Sequence, residues 1–241
     1  MSGPATPAKP TPLWEDFVDI FVSPAEVFER RQRASFALPL LILTVLVGAL
    51  YLGTRPALQP VFDAVWERQG VPAMMRRNPQ MTADQIAGAK KFQENIISPI
   101  AITLSIPISV ALTALALWLL GRLVDAKQDL RASFVVSTYS YFPKVLAFAA
   151  AAIIASLSDP ASLTSVFSAT LGVGHFLSPD TTSPIALALL GRIEVFILWT
   201  TVLLGIGLHV VGKVSMAKAM GVAAIIWVLG ALPGILQALQ M

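Results

Sequence analysis

The sequence has no cysteine, only two histidines, and charge on just 13% of its 241 residues. Lack of cysteine excludes disulfides, thiolate nucleophiles and Cys-ligated metals. His175 and His209 stand far apart, with no HExxH motif or carboxylate cluster beside them, so neither a metal nor another cofactor is expected. Sparse charge excludes an ordinary soluble surface. Soluble domains carry charge on about a quarter of their residues, whereas this chain is 56% hydrophobic with a mean hydropathy of +0.73. The net charge of +3 is small, and no stripe of Lys or Arg interleaves with aromatics, which argues against nucleic acid as a partner. Phosphate loops of the GxxxxGK[ST] or GxGxxG kind are missing too. The stretch SLTSVFSATLGVGHFLS sets hydroxyls beside His175 without a GxSxG elbow, and those hydroxyls are expected to satisfy loop backbone.

What is present is apolar length. Runs of roughly 18 or more apolar residues match the thickness of a bilayer's hydrocarbon core. The expected fold is an all-α membrane protein, a bundle of five transmembrane helices at about 36–53, 99–121, 134–157, 184–211 and 217–238. The lipid bilayer is its first partner. Residues 1–10 are Pro-rich and expected to be disordered. Over residues 11–33, Leu13, Trp14, Phe17, Val18 and Phe21 recur at helical spacing opposite Glu15, Asp16 and Asp19. That pattern predicts a short amphipathic helix lying in the membrane interface or against the protein's own cytoplasmic surface. Ser23-Pro24-Ala25-Glu26 predicts a capping box, and a helix running through Arg30, Arg31 and Arg33 directly into the first span.

Residues 54–95 read as an extramembrane insertion, with one helix over 57–68 and a second capped by Thr82 and Gln85. The second and fourth spans both open on Ser-Pro-Ile-Ala, at Ser98 and at Ser183, and a serine cap followed by proline predicts a helix start in each. A kink is expected at Pro107, and Gly205-Ile206-Gly207 suits close helix packing. Five spans put the termini on opposite sides. Arg30, Arg31, Arg33, Arg122, Lys127, Arg131, Lys213 and Lys218 fall on one side, while 158–183 has no Lys or Arg, which favours a cytoplasmic N-terminus.

Two ionisable residues stand out inside the spans. Counted at about 1.5 Å per residue, Glu194 lies roughly 15 Å from Pro184, and Lys144 roughly 15 Å from Phe134 on the antiparallel neighbour. An unpaired charge at such depth costs at least ~2.5 kcal/mol, so Lys144 and Glu194 are expected to pair or to share a water-filled pocket. Arg192 would snorkel outward, and Pro143 would free the carbonyl of Tyr139 as a further acceptor. The candidate intramembrane polar site is therefore Lys144, Glu194, Arg192, Tyr139 and Pro143. Under the competing placement, 185–190 lies flat in the outer interface, the span starts at Ile193, and Arg192 and Glu194 sit among headgroups. Tyr139, Tyr141 and Phe142 at helical spacing read otherwise as bundle core. The candidate interfacial or partner surface is Trp14, Phe17, Phe21, Arg30, Arg31 and Arg33.

Three segments resemble the Yip family of Ypt-interacting membrane proteins in its bacterial-type form: FVSPAEVFER from Phe21, YSYFPKVL from Tyr139, and EVFILWTTVLLGIGLHVVGKVSMAKA from Glu194. The resemblance implies a five-helix bundle with a cytoplasmic N-terminus, here in a bacterial cytoplasmic membrane. Eukaryotic members are associated with small GTPases and vesicle membranes. The region ahead of the first span is short for such docking, so a small-GTPase partner is not expected. The long insertion between spans one and two departs from the family's tight connection.

Taken together, the residues favour a non-enzymatic protein that organises the membrane or scaffolds partners, either another membrane protein or further copies of itself. A small transporter or channel using the midplane site is the alternative, and an intramembrane enzyme ranks third.

Overall fold

Backbone N–H and C=O groups surrounded by lipid must be satisfied within their own segment, which for apolar runs of this length means helix. The computed structural model describes residues 12–239, so the tail at 1–10 lies outside it. Among the described residues there is no strand. Five helices are long and apolar enough to cross a membrane: Ala37–Arg77, Ala83–Arg122, Leu130–Leu157, Val195–Gly212 and Met216–Ala238. The all-α, five-span architecture read from hydropathy is thus the observed one.

Two short helices precede the spans: α1, Leu13–Val22, and α2, Pro24–Arg31. The capping box at Ser23 does not form. The Ser23 amide instead donates to the carbonyl of Asp19 at 2.7 Å and closes α1, which leaves Glu26 nothing to cap. Nor does α2 run into the first span. The chain breaks after Arg31, where Arg131 Nε donates to the Ala34 carbonyl at 3.3 Å, and Phe36 stacks on Phe134 with ring centroids 4.6 Å apart.

The first span, α3 (Ala37–Val65), passes through a π turn at Trp66–Gly70 into α4, Val71–Arg77. The chain then turns over and returns as α5 (Ala83–Phe92), a second π turn at Gln93–Ile97, and α6, Ser98–Arg122. The polar residues 54–95 therefore prolong the first two spans as one helical pair, and no separate helix forms over 57–68. Each π turn ends two residues before a proline, Pro72 and Pro99. A proline ring collides with the carbonyl four residues back, and the wider turn moves that carbonyl aside without ending the helix. Ser98 consequently lies inside a continuous helix and caps nothing. Thr82 and Gln85 do form the reciprocal cap expected of them, with contacts of 2.9 and 3.3 Å.

The third span divides into α7 (Leu130–Ser140) and α8 (Pro143–Leu157), separated at Tyr141–Phe142. The fourth is also interrupted. α9 (Pro184–Leu190), capped by Ser183, stops at Gly191, and α10 (Val195–Gly212) starts afresh with Glu194 as its cap. The fifth consists of α11 (Met216–Leu229) and α12 (Leu232–Ala238), which meet at Gly230–Ala231. The common core draws Phe28, Leu43, Leu117, Val136, Leu208 and Val222 from six helices, while residues such as Leu41, Val45, Ile108 and Leu112 face outward. Because lipid is as apolar as leucine, close approach and shape have to hold such a bundle. Gly207 supplies one such approach: a Cβ there would lie 2.4 Å from Val136 and 3.2 Å from the Phe28 ring.

Candidate functional site

The helical spacing sets Glu15, Asp16 and Asp19 on the polar side of α1, and the structure buries one of them, Asp16. Asp16 is fully buried, its carboxylate shared by Arg30 Nε at 2.7 Å, Arg31 Nε at 2.6 Å and the Tyr139 hydroxyl at 3.1 Å. Arg30 also reaches Asp19 at 2.5 Å. Burial works against the Arg30 charge, but the bonds to Asp19 and Asp16 prevail and hold its pKa above the ordinary arginine value. Phe17 stacks on Phe142 at 4.8 Å and Phe21 meets Trp199 edge-on at 5.3 Å. Phe142 is twelve residues past Leu130, or about 18 Å along the helix axis. α1 therefore lies beside the middle of the bundle, with Trp14, Val18 and Val22 exposed. Arg33 is exposed as well. Arg30 and Arg31, read as surface cations, are instead the inner clamp.

A second polar group surrounds a cavity of about 450 Å³ between α6, α8, α10 and α11. Lys144, Arg192 and Glu194 all line it, together with Tyr141. Three helix interruptions converge here, at Tyr141–Phe142, Gly191–Glu194 and Gly230–Ala231. Loop packing accounts for the second of these. Val173 N donates to Ile193 O at 2.9 Å and Val195 N to Leu171 O at 3.1 Å, so the incoming loop takes the backbone groups a continuous helix would need. Glycine is required on both sides of this contact: a Cβ at Gly172 would lie 2.6 Å from Ile193 O, and one at Gly191 2.2 Å from the Phe167 ring. Glu194 thus starts α10 and does not sit within a longer helix. Its carboxylate is buried and accepts from Ile197 N at 2.9 Å.

Lys144 and Glu194 share the cavity without an ion pair between them, and the Lys144 ammonium lies over the Tyr141 ring, 5.2 Å from its centroid. The Tyr141 hydroxyl bonds Thr113 at 2.9 Å. Arg192 donates to the Gly230 carbonyl at 2.8 Å and lies 5.7 Å from the centre of the Trp227 ring, but its Nε is buried without a partner. Tyr139, grouped with this site from the sequence, belongs to the Asp16 clamp. Pro143 is buried at the start of α8 and does not line the cavity. The carbonyl it was expected to free is taken by the Phe142 amide at 3.2 Å. Thr113, Trp227 and Gly230 carried no sequence signal, since their partners lie on other helices.

The remaining polar candidates are bound locally. His175 donates through Nδ1 to the Ser168 carbonyl at 2.7 Å, and His209 to that of Val214 at 2.6 Å. Thr200 and Thr201 donate to carbonyls one turn back, each at 2.9 Å. Among the described residues no three His, Asp or Glu side chains group as metal ligands would.

No curated protein and no solved structure matches the chain. The model of the Yip1 domain does, over residues 18–236, from the middle of α1 to near the end of α12. That span takes in the clamp arginines, all three helix interruptions and every residue of the cavity. This five-span integral membrane protein belongs to the Yip1-domain family.

Proposed function

We propose that the protein is a non-enzymatic organiser of its membrane, with its N-terminus in the cytoplasm of a bacterial cell and the α1–α2 hairpin as its contact surface. The supporting observation is the seating of α1: Asp16, Phe17, Ile20 and Phe21 are turned into the protein, while Trp14, 64% exposed, Val18 and Val22 form an apolar ridge on the outside. Beside the middle of a bundle, such a ridge meets lipid tails or the apolar flank of another membrane protein, and the Arg30–Asp16–Arg31 clamp fixes its position. The non-enzymatic reading is supported by the imidazoles of His175 and His209 and the hydroxyls of Thr200 and Thr201, which serve backbone carbonyls.

The absence of native cysteine makes the test clean. A spin label on Val18→Cys should be relaxed by oxygen and shielded from a water-soluble nickel chelate, and Trp14→Glu combined with Val22→Glu should reduce capture of membrane partners or further copies. A label relaxed by nickel, with capture unchanged in the double variant, would contradict this reading. The cavity supports a second one, a small transporter, because interrupted helices around a polar site are the common architecture of secondary transporters. Under that reading, reconstituted protein shows a solute flux that Lys144→Met or Glu194→Gln abolishes; the organiser reading expects none.

A further inference from the structure

The Lys144–Arg192 cavity is lined by two cationic side chains and one carboxylate. Among the described residues the Lys144 ammonium meets the Tyr141 ring without a hydrogen bond or ion pair, and the buried Arg192 Nε has no acceptor. The single carboxylate, Glu194, is already engaged by Ile197 N and by the positive end of α10. Two cations therefore face the same space with about one negative charge too few, in surroundings where an unbalanced cation is costly.

The shape of the surroundings adds two routes of approach. Leu112 on α6 and Leu229 on α11 line the cavity and are 63% and 43% exposed, so its mouth opens onto the outward-facing apolar surface of the bundle. On the side of the 158–183 loop lies a second cavity of about 730 Å³, lined by Glu67, Arg68, Gln69 and Gln237. Arg192, Ile197 and Gly230 line both, which makes the Arg192 guanidinium the partition between them.

We propose that the Lys144–Arg192 cavity is a binding site for a singly charged oxyanion, a phosphodiester or carboxylate, held by the Lys144 ammonium and the Arg192 guanidinium. Thr113 and Tyr141 supply polar lining, and the apolar remainder accepts whatever chain the anion carries. An anionic lipid headgroup would enter sideways between Leu112 and Leu229; a free ion would enter from the second cavity past Arg192. Binding requires no transport, so a protein without flux leaves the proposal standing.

The test uses the full chain in nanodiscs. Replacing part of the phosphatidylcholine with phosphatidylglycerol should raise the unfolding midpoint. Charged hydrogen bonds of the usual strength make the anion bind about tenfold more weakly in Lys144→Met and in Arg192→Gln. Lys144→Arg should restore the effect, and Arg33→Gln, on the exposed surface, should not disturb it. Leu112→Trp narrows the mouth while keeping every charge: loss of the lipid effect in this variant identifies the lipid as the source. In discs of phosphatidylcholine alone, stabilisation by inorganic phosphate or acetate that survives Leu112→Trp and fails in Arg192→Gln identifies a free ion. If Lys144→Met does not fold, Lys144→Arg and Leu112→Trp carry the same comparison. The proposal is overturned if neither lipid-borne nor free anion stabilises the wild type, or if both stabilise the Lys144 and Arg192 variants equally well.

Discussion

Two groups of charged residues lie inside this bundle, and they are built oppositely. Around Asp16, one carboxylate is matched by two arginines and a phenol, and every contact is within 3.1 Å. Around the cavity, Lys144 and Arg192 have a single carboxylate between them, and one of its oxygens caps α10. The first group is a closed set whose members each complete another, and it fixes α1 and α2 to the bundle. The second is an open set, with donors directed into a space of several hundred cubic ångströms. Removing a member of a closed buried set strands the others, whereas removing a surplus cation from the open set relieves an imbalance.

That contrast orders the predictions. Asp16→Ala should have the largest effect, since it removes the buried carboxylate that Arg30 and Arg31 share and leaves Arg30 only the partly exposed Asp19. Loss of one partner from a buried pair costs about 3 kcal/mol or more, read as a lowered unfolding midpoint in detergent. Gly207→Val, which forces α10 away from Val136 and Phe28, should cost about 1–3 kcal/mol by overpacking and should loosen the same hairpin in limited proteolysis. Tyr139→Phe removes one donor from a carboxylate that keeps two others, so a loss of about 1–2 kcal/mol is expected. The smallest effects separate the two Ser-Pro-Ile-Ala segments. Ser183→Ala removes a true cap and should cost about 1 kcal/mol, while Ser98→Ala, within a continuous helix, should stay within about 0.5 kcal/mol.

Those two segments also show how far the sequence could be read. Five spans, the Thr82–Gln85 cap and the Ser183 cap follow from hydropathy and local hydrogen bonding, both properties of a few neighbouring residues. Ser98 looked identical to Ser183, yet the difference lies upstream: a π turn at Gln93–Ile97 lets the helix absorb Pro99, whereas Ser183 follows a loop. The interruption of the fourth span was equally hidden, because it depends on a loop bridging back from Gly172 to Glu194. The charges were legible as exceptions to apolar composition: Lys144 lies within the third span, Arg192 and Glu194 lie just ahead of α10, and all three line one cavity. Their partners were not legible. By spacing Asp16 is one of several acids on the polar side of an amphipathic helix; its donors lie on the next helix, at Arg30 and Arg31, and 123 residues away at Tyr139.

The most direct measurement sets the two groups side by side: the unfolding midpoints of Asp16→Asn and Lys144→Met in nanodiscs of uncharged lipid. A closed clamp beside an open cavity predicts that Asp16→Asn melts well below the wild type, while Lys144→Met melts at or above it. A Lys144→Met protein that melts as low as Asp16→Asn would mean that the lysine completes a set after all, and the division would fail.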